Sequence, residues 1–71
     1  MKLNYYGDTD SLYIDLNSRP SVETREIEEG LLVDLDKDGH VVGIDIDHAS
    51  KMMDLKKLEL VHLPVLEINA A

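Results

Sequence analysis

The stretch LLVDLDKDGHVVGIDID, residues 31–47, decides the fold. Two apolar runs, Leu31–Asp36 and Val41–Asp47, are joined by the connection Asp36-Lys37-Asp38-Gly39-His40. An Asp-Gly pair between apolar runs is a strong hairpin signal, because these residues tolerate the positive φ of a tight turn. In the second run Val42, Ile44 and Ile46 share one side of a strand, and Val41, Gly43, Asp45 and Asp47 share the other. A glycine in mid-strand packs nothing itself, so Gly43 predicts a bulge or a close neighbour over that spot.

Working towards the N-terminus, Val22–Glu28 is a weaker strand whose charges suit an exposed sheet edge. Glu29-Gly30 turns it back into Leu31. Asn17-Ser18-Arg19-Pro20-Ser21 is a loop, since Pro20 has no N–H for a ladder. Leu12, Ile14 and Leu16 alternate with Tyr13 and Asp15, and Leu3 and Tyr5 alternate with Lys2, Asn4 and Tyr6. The turn formers Gly7-Asp8-Thr9-Asp10 join them into a second hairpin.

Towards the C-terminus, Asp47 is the expected N-cap of a short helix from His48 to about Met53, carrying Ala49, Met52 and Met53 at helical spacing. Lys56 and Glu59 interrupt that face. A last strand is expected near Leu58–Leu63, with a helix continuing up to Leu63 as the alternative. Val65, Leu66 and Ile68 make an apolar tail. The expected architecture is α+β: a four- to five-stranded antiparallel sheet of hairpins with one short α-helix in the C-terminal half. Residues 1–71 form a single small domain, with sheet and helix in 1–53 and an apolar C-terminal segment in 54–71. The expected inward-facing positions are Leu12, Ile14, Leu35, Val42, Ile44 and Ile46.

Composition narrows the function. Among 71 residues, seven Lys+Arg stand against 15 Asp+Glu, a formal net charge of −8. Nucleic-acid phosphates and anionic membranes both require clustered cations, so neither is an expected partner. An apolar fraction of 44% is too high for a disordered acidic tail. The absence of cysteine excludes disulfides, thiolate metal sites and cysteine nucleophiles. A chain this short buries little surface, and apolar residues expected on both sheet faces exceed what one short helix covers, so a homodimer is expected. No apolar run is long enough to span a membrane, and Met1–Tyr6 lacks the apolar core of a signal peptide, so the expected location is the cytoplasm.

Several segments taken together carry a resemblance. Met1-Lys2-Leu3-Asn4-Tyr5 is followed by Thr9-Asp10-Ser11-Leu12-Tyr13-Ile14 and Glu29-Gly30-Leu31-Leu32-Val33-Asp34-Leu35-Asp36. Then come Asp38-Gly39-His40-Val41-Val42-Gly43-Ile44-Asp45-Ile46 and Ala49-Ser50-Lys51. Their order and spacing resemble the small prokaryotic domain-of-unknown-function family 2283, over residues 1 to about 53. The resemblance implies a compact β-rich domain without an established activity, of a kind suspected of antitoxin-like partnership with small toxins. It assigns no functional residue.

The sharpest local pattern is Asp34-x-Asp36-x-Asp38-Gly39 with Asp45 further on, which follows the opening of a calcium loop. That motif belongs between helices and ends in a bidentate Glu, whereas here strands flank it and the last acid is Asp45, so a hairpin is the stronger expectation. On that reading Asp34 and Asp36 share a strand face, Asp38 sits at the solvated tip, and Gly39 supplies turn geometry. His40, His48 and His62 lack zinc-pair spacing; for Asp45, Asp47 and His48 a weak metal site is the alternative to helix capping by Asp47 beside an exposed His48, which is the stronger expectation. Ser11, Ser18, Ser21 and Ser50 have no nucleophile motif around them, and the glycines at 7, 30, 39 and 43 form no phosphate loop. Tyr6 and Tyr13 either pack across the first hairpin or mark an interface.

No catalytic, cofactor-binding or metal-binding residue is therefore assigned, and no cofactor is expected. The expected function is that of a non-enzymatic protein-interaction module, antitoxin-like, with a small basic protein as partner. The competing reading is a divalent-cation-binding domain using the acidic hairpin Asp34–Asp45.

Overall fold

The computed structural model describes residues 1–64. Its strands are β1 (Lys2–Tyr6), β2 (Ser11–Asp15), β3 (Glu23–Glu28), β4 (Leu31–Leu35) and β5 (Val41–Ile46), followed by the helix α1 (Ala49–Met52). They form one five-stranded sheet in the order β1-β2-β5-β4-β3. Every neighbouring pair is antiparallel. Tight turns make the β1–β2, β3–β4 and β4–β5 hairpins, and the β2–β5 pairing joins the first hairpin to the rest. Residues 16–22 carry the chain from β2 to the far edge of the sheet. This crossover is tied to the strand ends it passes: Leu16 N–H donates to the Val42 carbonyl at 2.9 Å and Val22 N–H to the Leu35 carbonyl at 2.8 Å.

Directly opposed residues in an antiparallel pair project to the same side, so the register sorts the side chains. Leu12 lies opposite Ile46 and Ile14 opposite Ile44. Leu31 lies opposite Ile46 and Val33 opposite Ile44. These residues form one apolar face, extended onto β1 by Leu3 and Tyr5. Helix α1 lies over it, with Leu12, Ile46 and the fully buried Ala49 at the centre and Ile14, Leu31, Ile44, Met53 and Leu55 around them. Of the expected inward positions, Leu12, Leu35, Val42 and Ile46 are buried. Ile14 and Ile44 are half-buried at the rim of the same cluster.

Tyr13 and Leu32 stand on the opposite face, as expected, among carboxylates and hydroxyls. Two expectations need correction. First, Asp47 does not cap the helix. The N-cap position is His48, at φ 53° and ψ 41°, with no side-chain cap bond of its own. That left-handed residue turns the first helical turn towards the β1–β2 connection, where Asp10 does the capping. The Asp10 carbonyl accepts from Ala49 N–H at 2.9 Å, and its carboxylate accepts from Ser50 N–H at 3.1 Å and Ser50 Oγ at 2.7 Å.

Secondly, residues 58–63 form neither a strand nor a helical extension. Leu58, Leu60, Val61 and Leu63 are all exposed. Apolar and charged residues alternate here without a second face to bury, and Pro64 cannot donate to a ladder. Val65, Leu66 and Ile68 lie outside the described residues.

The β4–β5 turn takes the expected hairpin form and uses Asp36 in an unexpected way. Gly39 N–H donates to the Asp36 carbonyl at 3.0 Å, Asp36 N–H donates to the His40 carbonyl at 2.9 Å, and Gly39 has φ 83°. This is a three-residue hairpin loop with glycine in the left-handed position. Asp36 lies just past the end of β4, so strand alternation no longer governs it. Its carboxylate folds back, buried, and accepts from the N–H groups of Asp38 and His40, each at 2.9 Å. Arg19 from the crossover pairs with the same carboxylate at 3.1 Å. One side chain thus organises the turn and anchors the crossover, where an exposed acid was expected.

Candidate functional site

The polar face of the sheet concentrates the chemistry of the domain. The register places Asn4, Tyr13, Asp45 and Leu32 in one transverse row, and Asp15, Gly43, Asp34 and Thr24 in the next. Tyr13 leans from β2 across β5 and donates its hydroxyl hydrogen to Asp34 Oδ2 on β4 at 2.6 Å. Thr24 on β3 donates to the other oxygen, Asp34 Oδ1, also at 2.6 Å. Asp34 is therefore held from both sides by side chains on β2 and β3.

Gly43 makes this bridge sterically possible. A Cβ there would run into the Tyr13 hydroxyl and stand only 2.6 Å from Tyr13 Cζ. The register also shifts between Asp34 and Leu35, opposite this part of β5. The mid-strand glycine thus marks a close neighbour, one of the two features its position predicted, and the register shift lies one step beyond it.

Electrostatics follow from this placement. The Tyr13 pKa is pushed up to about 12, first because its proton is committed to Asp34, then by burial and the negative charge of Asp34. Asp45 sits in the row of Tyr13, and its carboxyl is raised above the ordinary aspartate range by burial, then by Asp47 and Asp34. Ser11 Oγ approaches Asp47 Oδ1 at 3.4 Å. Among the described residues the ion pairs are Arg19–Asp36, Arg25–Glu23 and Lys57–Glu59. None neutralises Asp34, Asp45 or Asp47, so this acidic strip has no cation partner among the described residues.

The acidic-loop residues are separated rather than gathered. Asp34 is engaged by Tyr13 and Thr24 on the sheet face, Asp36 by backbone N–H groups in the turn, and Asp38 is exposed. Among the described residues, no group of three or more His, Asp or Glu side chains is arranged to hold a metal ion. His40, His48 and His62 stand in the β4–β5 turn, at the start of α1 and in the C-terminal segment respectively. The serines stay dispersed, with Ser50 bound to Asp10. An open depression of about 530 Å³ beside α1 is bordered by Glu26, Glu29, Asp47, His48, Lys51 and Met52. No helix among the described residues is long and apolar enough to cross a membrane.

The sequence held only part of this arrangement. Gly43 signalled a close neighbour, but nothing in period-two spacing reveals that Tyr13 and Asp34 meet across an intervening strand. That contact depends on the non-local β2–β5 pairing.

These shifts give a testable pH profile. Tyr13 keeps its proton in the folded state beyond the ordinary tyrosine value of roughly 10. Its contribution is fully present below that value and is lost as pH rises through about 12. Asp36 is held below the ordinary range by the His40 and Asp38 N–H groups and by Arg19. Asp10 is held low by Ser50 and Tyr5. Their stabilisation is present above the unfolded-state pKa and is lost as pH falls through the depressed folded values. Urea unfolding across the pH range should show both losses, and Tyr13→Phe should shrink the alkaline one. A folded-state tyrosinate titration in which every tyrosine ionises at the ordinary value would contradict the Tyr13–Asp34 bond.

A family described as protein of unknown function (DUF2283) matches residues 2–50. An uncharacterized protein of Methanocaldococcus jannaschii is 33% identical over 60 residues, covering 84% of this chain and 51% of the relative. The chain thus spans about half the length of that relative. No solved structure gives a significant match.

Proposed function

Because the chain belongs to the DUF2283 family, whose description carries no activity, we propose from the geometry that it is a non-enzymatic protein-interaction module. Its polar sheet face docks a basic protein, with a small antitoxin-bound toxin as the candidate class. The observation that supports this is Asp45. Its carboxylate stands partly buried beside Asp34 and Asp47, and both burial and those charges oppose its ionisation. A carboxyl with a raised folded-state pKa favours folding only at low pH, and that contribution is lost as pH rises through its folded value. At neutral pH the charge of Asp45 therefore works against stability. A surface that keeps such a charge suits a partner that supplies the missing cation, as Lys and Arg on a basic protein would.

The test is association with a small basic protein, sought as the product of a neighbouring gene or by co-purification, measured by calorimetry with the parent and with Asp45→Asn. The parent should bind, with affinity falling as salt screens the contact. Asp45→Asn should melt at or above the parent temperature yet bind at least roughly tenfold more weakly, the loss of about 1.4 kcal/mol of interaction. Equal binding by both proteins, or association indifferent to salt, would refute the assignment.

A further inference from the structure

We propose that β1 is the dimerisation edge, where a second copy of the chain adds its own β1 antiparallel and two-fold symmetric. The five strands of each copy would then join into one continuous sheet.

Among the described residues the sheet has two unpaired edges, β1 and β3, and they differ in kind. Edge strand β3 is guarded: it carries Glu23, Glu26 and Glu28, every residue is exposed, and its pairing with β4 is irregular between Glu26 and Glu28. Charges and bulges on an edge are the usual means of discouraging strand addition. By contrast β1 is regular from Lys2 opposite Asp15 to Tyr6 opposite Ser11, and it contains no proline and no acid. Leu3, Tyr5 and Tyr6 are each about half exposed along it.

Charge selects a second copy at this edge. Two chains of net charge −8 repel over most of their surfaces. Residues 1–7 hold Lys2 and no acid, so this edge is where two copies approach with least carboxylate repulsion. The need for added burial is visible in the core, where no large side chain is fully buried among the described residues.

The register follows from side-chain alternation. In an antiparallel pair the opposed residues share a face, so a one-residue slip would set the apolar face of one copy against the polar face of the other. A two-fold axis at Asn4 keeps the faces matched and pairs all five residues of β1. Leu3 then meets Tyr5 of the second copy on the apolar face, Lys2 meets Tyr6 of the second copy on the polar face, and Asn4 meets its own symmetry mate. The pairing leaves Asp34, Asp45 and Asp47 uncovered, so it is independent of the partner-binding reading above.

The Asn4 contact gives a charge-swap test. Sedimentation of the parent at micromolar to hundred-micromolar concentration should give about twice the 8.0 kDa chain mass. Asn4→Glu alone and Asn4→Lys alone each oppose like charges across the axis, and each should weaken the dimer at least roughly tenfold. Mixing the two variants should restore a one-to-one dimer. Amide exchange of the unmodified protein gives a second readout: protection along β1, and not along β3, should rise with concentration. A monomeric parent, variants that dimerise as well as the parent, folded variants that fail to pair when mixed, or concentration-dependent protection on β3 instead of β1 would each overturn the proposal.

Discussion

An Ile46→Ala variant is expected to lose roughly 2–5 kcal/mol of stability, the usual cost of truncating a buried aliphatic side chain in a core that collapses only partly around the cavity. Ile46 is 7% exposed, lies opposite Leu12 on one side and Leu31 on the other, and packs with Ala49 of the helix. It thus touches β2, β4 and α1 from the central strand. Small domains have only about 5–15 kcal/mol in total, so the variant should melt roughly ten degrees or more below the parent and could be substantially unfolded at ambient temperature. Ile27→Ala is the comparison, because Ile27 is 60% exposed on the edge strand and should change the melt by no more than a few degrees. Circular-dichroism melts of both variants decide the matter. Equal behaviour would mean that the β5 register is not the one described.

The first hairpin and the β4–β5 hairpin were legible because their information is local. Alternation in Leu12-Tyr13-Ile14, the Asp38-Gly39 turn and the Glu29-Gly30 turn each specify geometry within a few residues. Non-local features were not. The helix looked capped by Asp47 because an aspartate immediately precedes it, yet the cap comes from Asp10, 40 positions before Ser50. A left-handed His48 redirects the helix start, a conformation that histidine adopts more readily than most residues but too seldom to be read from sequence. Asp36 looked like one more exposed acid because alternation was extended one residue past the end of β4, into a turn where backbone N–H groups capture the carboxylate. The segment Leu58–Leu63 looked like a strand because its apolar residues alternate, but a strand also needs an edge to join. The helix cap was thus decided by a partner distant in sequence, and Asp36 by turn geometry only two and four residues away.

Gly43 offers the clearest separation of local preference from tertiary constraint. In a strand interior, alanine is ordinarily better than glycine by roughly 0.5–1 kcal/mol, since glycine loses more backbone entropy on folding. Here the Cβ of Gly43→Ala would enter the volume occupied by the Tyr13 ring and hydroxyl. The ring must swing away and release its hydrogen bond to Asp34, a bond to a charged group worth about 1.5–3 kcal/mol. The net effect of Gly43→Ala should thus be a loss of roughly 1–2 kcal/mol, the bond offset in part by backbone entropy. In a Tyr13→Ala background that steric conflict no longer exists. The same Gly43→Ala change should then be neutral or stabilising by up to about 1 kcal/mol. A double-mutant cycle by urea unfolding reads the sign change directly, with a coupling of about 1–3 kcal/mol between residues on adjacent strands. Additive effects would show that Tyr13 does not lie over Gly43. The Tyr13–Asp34–Thr24 bridge would then have no steric reason to depend on a glycine in the central strand.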